Sequence, residues 1–282
     1  MELLVLGLFL LVASVCDIRT REVPDWLSYS LIVFGLASAL FYSWIFSDWY
    51  ALVASIIGFG ACFLLGLLMF YTGQWGGGDA KLVMGIGATL GLPWQNFPIL
   101  VVFLIMTLFV GSFYGVFYGF FLVVRNFRRF RETLKTYLCQ PRVLLLRRVV
   151  VVFSAFLLIL SFWLPGFLRF SFWALIVVFL SGYYLIIFMK VLEKACLIKE
   201  LPIAKLTEGD WIYKDVVVQG KRICGPKDLG ISKDQIALLK RLRKQGKISA
   251  VTVKEGVPFV PSFFLAYILT MWKGAWLVKL FF

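Results

Sequence analysis

Apolar and polar positions fall in long blocks along this chain rather than alternating residue by residue. Predominantly apolar runs cover 3–16, 26–46, 50–71, 97–124, 149–165, 170–189 and 257–282. A helix needs about 20 apolar residues to cross a bilayer, with a range near 17–25, so most of these blocks predict membrane helices. The first is a little short, with Glu2 at its far end. It stops at Asp17-Ile18-Arg19-Thr20-Arg21-Glu22-Val23-Pro24-Asp25, which reads as a short polar loop with Pro24 as its breaker. Between the third and fifth blocks lies a shorter helix, predicted over 79–91 and closed by Gly91-Leu92-Pro93. It is too short to cross alone unless tilted, buried in protein or met by a thinned bilayer. The apolar runs 149–165 and 170–189, split by Pro165-Gly166, predict a hairpin, and Lys273 and Lys279 interrupt the last run.

One long stretch breaks the pattern. Residues 190–256 are polar, with 15 basic and eight acidic residues. Trp211-Ile212-Tyr213 and Val216-Val217-Val218, followed by Gln219-Gly220-Lys221-Arg222, predict short strands and a turn. Ser232-Lys233-Asp234-Gln235 has the form of a capping box that opens an amphipathic helix ending at Gly246, and a further strand fits 248–253. The fold expected is an all-α polytopic membrane protein of about six to eight transmembrane helices with a small α+β cytoplasmic domain. Its expected divisions are a transmembrane core at 1–125, a basic loop and apolar hairpin at 126–189, the polar domain at 190–256 and a membrane segment at 257–282.

Composition agrees: 61% of residues are apolar, against roughly 45–50% in soluble domains. Charge adds orientation. Eight basic residues and one acid (Glu132) lie between Arg125 and Arg148, which marks that segment and 190–256 as cytoplasmic by the positive-inside rule. A membrane surface accounts for this bias without nucleic acid, and the 125–148 cluster reads as a topology determinant and anionic-lipid contact. Counting crossings backwards, with 79–91 taken as one, puts loops 17–25 and 72–78 inside and loops 47–49 and 92–96 outside. Asp17 and Asp79 then share the cytoplasmic face.

The chemistry available is narrow. With no histidine in the chain, Ser-His-Asp and Cys-His catalysis are excluded, as are the common His-containing metal sites. Five cysteines without CxxC spacing read as small apolar fillers, so neither metal nor cofactor is expected. Asp79 follows glycines at 73, 76, 77 and 78 and sits at a membrane edge, where an ionisable group is costly and marks function. Paired with Asp17, it would share a proton, because two close carboxylates do not both ionise comfortably. Such a pair can activate a water and protonate a scissile carbonyl. Gly76, Gly77 and Gly78 would let a substrate backbone approach, or serve only as a tight turn.

Gly76-Gly77-Gly78-Asp79-Ala80-Lys81-Leu82 resembles the GxGD signature of the type IV prepilin and archaeal preflagellin peptidases, aspartic proteases of the membrane. Asp17 at the end of the first span, Pro24-Asp25 eight positions on, and Gly85, Gly87 and Gly91 after the motif extend the resemblance over residues 1–125. It implies that Asp17 and Asp79 are the catalytic pair of an aspartic endopeptidase. Such an enzyme cuts prepilin-like or preflagellin precursors between a basic leader and a hydrophobic helix, at the cytoplasmic membrane face. The absent CxxC sets the chain apart from the bifunctional bacterial members and favours the archaeal branch, while the 149–189 hairpin adds crossings to that pattern. Asp25, read as a helix N-cap, and Lys81, read as a headgroup anchor, are secondary site candidates. Two readings of other classes stay open: an ion- or proton-coupled transporter using Asp79 on a broken helix, and an inactive assembly homologue.

Overall fold

The computed structural model describes residues 2–94, 98–218, 220–228 and 230–281, with side chains given through Trp272. Gln95–Phe97, Gln219 and the side chains of Lys273 and Lys279 lie outside the described residues. The chain divides into two compact units, one formed by residues 1–117 with 256–282 and the other by 118–255.

In the first unit the apolar blocks become α1 (Glu2–Thr20), α2 (Asp25–Phe46), α3 (Tyr50–Tyr71), α4 (Gly77–Leu90), α5 (Ile99–Arg125, which runs on into the second unit) and, at the far end of the sequence, α10 (Val260–Phe281). The third block forms a helix over the span its hydropathy predicts. The first does not end where its apolar run ends. Asp17 is an internal residue of α1, which continues to Thr20, and the Arg21 N–H donates to the Asp17 carbonyl at 2.8 Å. Burying the Asp17 side chain against the protein replaces the water that a loop would have offered it.

α4 is the short helix, and close packing explains how it is accommodated. At about 1.5 Å per residue its 14 residues extend roughly 21 Å. It runs parallel to α2, where Asp25 meets Lys81, Leu31 meets Gly85 and Gly35 meets Ala88-Thr89. It runs antiparallel to α3, where Gly66 meets Ala80 and Gly58 meets Gly87. Small residues let helix backbones approach closely and so bury a helix that could not span alone. The Ser55 hydroxyl donates to the Ala88 carbonyl, and the Leu92 N–H donates to Ala54 O at 2.8 Å beyond a left-handed Gly91 (φ 62°). On the other side α1 pairs antiparallel with α10: the Tyr267 hydroxyl donates to the Leu3 carbonyl and Asp17 receives the Val260 N–H. The core between these pairs is built from Leu6, Leu10, Leu31, Leu82, Ile86, Phe103 and Phe263.

The second unit corrects one expectation. The basic segment expected as a loop is largely helical: Phe127–Leu138 form α6, and Pro141–Ser161 form α7, whose first eight residues carry Arg142, Arg147 and Arg148. A polar loop and an amphipathic helix have the same composition; here Phe130 and Tyr137 are buried on one face while Arg128, Arg129, Arg131 and Lys135 are exposed. α7 and α8 (Gly166–Leu192) form the hairpin, α8 closing through a wider turn at Glu193–Leu197. The polar segment folds around Ile203, Ile212, Cys224, Ile231, Leu239 and Val253. Its antiparallel sheet has the order β1 (Ile198–Pro202), β5 (Ala250–Lys254), β2 (Trp211–Ile212), beside a hairpin of β3 (Val216–Val218) and β4 (Lys221–Cys224). Lys221 and Arg222 belong to β4 rather than to a turn. Ser232 and Gln235 form the expected capping box ahead of α9 (Lys233–Lys244).

Among the described residues, six helices (α1, α2, α3, α5, α7 and α8) are long and apolar enough to cross a membrane. The chain is a polytopic α-helical membrane protein with a small α+β domain. Cys62, Cys196 and Cys224 are buried as fillers, whereas Cys139 is exposed; all five thiols are free.

Candidate active site

Asp17 and Asp79 reach the same end of the first unit from different elements. Asp17 stands in the last turn of α1 and is 4% exposed. Its Oδ2 accepts the Val260 N–H at 2.9 Å, and the Arg21 guanidinium lies within range of its charge. Asp79 is the third residue of α4, half-buried, and its Oδ2 accepts the Gly76 N–H at 3.2 Å. That bond serves one of the amide groups that the start of a helix leaves without an internal partner, and the helix N-terminus favours the negative charge. The two carboxylates lie close enough for the Asp17 charge to act on Asp79.

The glycine-rich turn places Asp79. α3 ends at Tyr71, and the Gln74 and Trp75 amides both donate to the Met69 carbonyl, at 2.9 and 3.2 Å. Gly73 takes the left-handed conformation (φ 70°) that this reversal requires. The three motif glycines then differ. A Cβ on Gly78 would meet the Val23 side chain at 3.0 Å and its backbone at 3.2 Å, so this position makes room for the turn between α1 and α2. Gly77 has only Phe70 nearby, at 3.7 Å, and Gly76 only the Asp79 carboxylate, at 3.6 Å. Space for an approaching backbone is therefore found at Gly76 and Gly77.

Asp25 and Lys81 are joined to each other. Lys81 Nζ lies 2.6 Å from Asp25 Oδ1 and 5.2 Å from the centre of the Tyr29 ring. Asp25 is the first residue of α2 rather than its cap; Pro24 holds the cap position without a side-chain hydrogen bond. Since Asp25 is 64% exposed, the ion pair is screened and contributes at most about 1 kcal/mol. Lys81→Met is accordingly expected to lower the thermal midpoint by no more than a few degrees, as read by scanning fluorimetry in detergent. A larger drop would mean that the pair is part of the framework that holds α2 to α4.

Three residues of this site were not apparent from motif spacing. Val23, the apolar residue ahead of Pro24, is only 6% exposed and packs over Gly78. Trp75 is buried against Phe259 and Phe263, with ring centres 6.3 and 5.4 Å apart. Val260 supplies the donor to Asp17. The available signals were an apolar residue in a charged loop, an aromatic among glycines, and the pair Pro258 and Pro261 at the start of the last apolar run.

Among the described residues no cluster of three or more Cys, Asp or Glu side chains has the arrangement of a metal site. What this end of the bundle offers is a pair of carboxyl groups beside a glycine-lined turn.

Comparison with known proteins meets this geometry. Residues 4–120 match the type IV leader peptidase family. The chain is 44% identical over 90 residues to a preflagellin peptidase of Methanocaldococcus jannaschii, a stretch covering 32% of this chain and 37% of that protein. It is 44% identical over 87 residues to one of Methanococcus maripaludis (31% and 37%) and 38% identical over 90 residues to one of Methanococcus voltae (32% and 37%). The matches thus span little more than a third of each relative's length. The matched segment, residues 4–120, holds both aspartates and the glycine-rich turn, and over that segment the chain is similar to the type IV leader peptidase family.

Proposed function

We propose that this chain is a membrane aspartic endopeptidase that removes the leader peptide from preflagellin or prepilin-like precursors, with Asp17 and Asp79 as its catalytic pair. The observation that carries the proposal is the convergence of two carboxylates, from α1 and α4, at one end of the bundle beside the open faces of Gly76 and Gly77. Similarity to preflagellin peptidases supports the substrate class.

In the mechanism one carboxyl is protonated and the other ionised, the state that a close pair adopts when two charges oppose each other. The ionised group takes a proton from a water, and the oxygen of that water bonds to the scissile carbonyl carbon. The protonated group gives its proton to the carbonyl oxygen, which yields a neutral gem-diol. Collapse of the gem-diol re-forms a C=O bond and breaks the C–N bond. The proton held by the first carboxyl goes to the departing nitrogen, and a hydroxyl proton returns to the second. No covalent intermediate forms. The two carboxyls exchange roles and then reset.

The active end faces the cytoplasm. The end of α1 and the turn after it carry Arg19 and Arg21 while 47–49 has no basic residue, so the positive-inside rule orients this end inward. A basic leader that remains cytoplasmic, ahead of a membrane-inserted apolar helix, would present its boundary at this level. The chain's partners are then the precursor and the bilayer, without nucleic acid.

The test is cleavage by the purified full chain in lipid nanodiscs of a preflagellin-type precursor with a basic leader. A single cut at the leader boundary is expected, with Asp17→Asn and Asp79→Asn each inactive yet folded. A substrate left whole by the unmodified chain, or cut equally by both variants, overturns the proposal.

A further inference from the structure

We propose that the entry of the last helix, Phe259-Val260, is part of the aspartate site and positions Asp17 through the backbone N–H of Val260. The inference rests on the reading of Asp17 as catalytic and adds a residue to that site from the opposite end of the chain.

The first amides of a helix have no internal partner and need an acceptor, supplied most often by a Ser, Thr, Asp or Asn at the cap. Ahead of α10 stand Val257, Pro258 and Phe259, none of which carries such a side chain. Asp17, 243 residues away in sequence, takes that place: its Oδ2 accepts from the Val260 N–H at 2.9 Å, and the Phe259 amide is also directed at it. Pro261, the next residue, has no N–H to satisfy. The Asp17 carboxylate is thereby held in one orientation.

The same segment reaches the second half of the site. Phe259 and Phe263 enclose Trp75 of the glycine-rich turn, and Arg21 Nη1 donates to the Gly256 carbonyl at 3.4 Å. Residues 256–263 therefore touch both the end of α1 that bears Asp17 and the turn that bears Asp79. A contact that only ties α10 to α1 would duplicate existing links, since Ser14 Oγ lies 3.4 Å from the Val260 carbonyl and the Tyr267 hydroxyl donates to Leu3. The amide differs from those links in what it holds.

Val260→Pro isolates the amide. Proline is favoured at the first position of a helix, where its fixed φ suits the turn, so the substitution deletes one donor and keeps an apolar side chain. With precursor in nanodiscs, kcat is expected to fall about tenfold to a hundredfold, the scale of a displaced catalytic group. KM should stay within about threefold, which separates positioning from binding. Ser14→Ala, which removes only the link to the Val260 carbonyl, should leave kcat within about twofold. Should Val260→Pro not be recovered folded, the α-hydroxy analogue of valine at 260 replaces the N–H by an ester oxygen and keeps the side chain; the same loss of kcat is expected. An unchanged kcat without the donor, while Asp17→Asn abolishes cleavage, overturns the inference alone. Cleavage that survives Asp17→Asn removes its basis and the proposed function together.

Discussion

Asp79→Asn is expected to lower kcat for leader cleavage by about 10²–10⁴-fold, the usual cost of removing a group that moves a proton in the reaction. The variant should remain folded, for a reason the structure supplies. Asp79 has a second role as acceptor for the Gly76 N–H at the start of α4. An asparagine carbonyl oxygen can accept that bond from the same position. The charge that opposes Asp17 is also lost. Its thermal midpoint should accordingly match the unmodified chain or exceed it, and single-turnover cleavage measured beside thermal unfolding separates chemistry from stability. Asp79→Ala would lose both roles, so an equal loss of activity in Asn and Ala with a lower midpoint only in Ala is the expected pattern. A fully active Asn variant would leave Asp79 a structural cap and remove it from the catalytic pair.

The parts of this fold that were legible in the sequence are those where a single block of residues decides its own environment. α3 could be bounded because Ser47-Asp48-Trp49-Tyr50 and the glycine-rich turn bracket one uninterrupted apolar run. The capping box at Ser232 was legible because its partner, Gln235, lies three residues away. The end of α1 is not, since Asp17 is buried with its carboxylate on the Val260 amide, a partner that local sequence does not contain. α6 is not legible for a related reason: its basic residues read as a topology determinant and lipid contact, and the burial of Phe130 and Tyr137 depends on neighbours far along the chain. β1 is not legible because Ile198-Lys199-Glu200-Leu201-Pro202 shows no apolar–polar alternation and gains its pairing from β5, about fifty residues later.

The candidate site divides in the same way. Asp17 and Asp79 could be singled out as ionisable groups at the ends of apolar runs, and crossing parity put them on one face as long as α4 counted as a crossing. The structure gives that helix its place through contacts between backbones that hydropathy does not register. The charge of a motif residue is visible in sequence; the packing that carries it to its partner is not.

That packing makes a sharp prediction for two glycines two residues apart on α3, Gly58 and Gly60. Gly58→Ala is expected to destabilise the chain by about 3 kcal/mol, the upper part of the usual range for overpacking a filled core. A Cβ at this position would lie 2.4 Å from the Gly87 carbonyl oxygen and 2.8 Å from Gly91 Cα, both backbone atoms that no rotamer change can move aside. Gly87→Ala meets the same obstacle from the other helix, 2.4 Å from the Gly58 oxygen and 2.6 Å from the Cys62 Cβ. Gly60→Ala provides the control, because nothing lies within 4 Å of its added methyl group. There the higher helix propensity of alanine should stabilise by up to about 1 kcal/mol. Thermal unfolding in one lipid or detergent is expected to rank Gly60→Ala at or above the unmodified chain and Gly58→Ala well below it. Any folded fraction of Gly58→Ala must move α4 away from α3, and with it Asp79, so its cleavage rate per folded molecule should fall as well. Equal midpoints for the two variants would mean that α4 is not wedged against α3 and that something else holds Asp79 near Asp17.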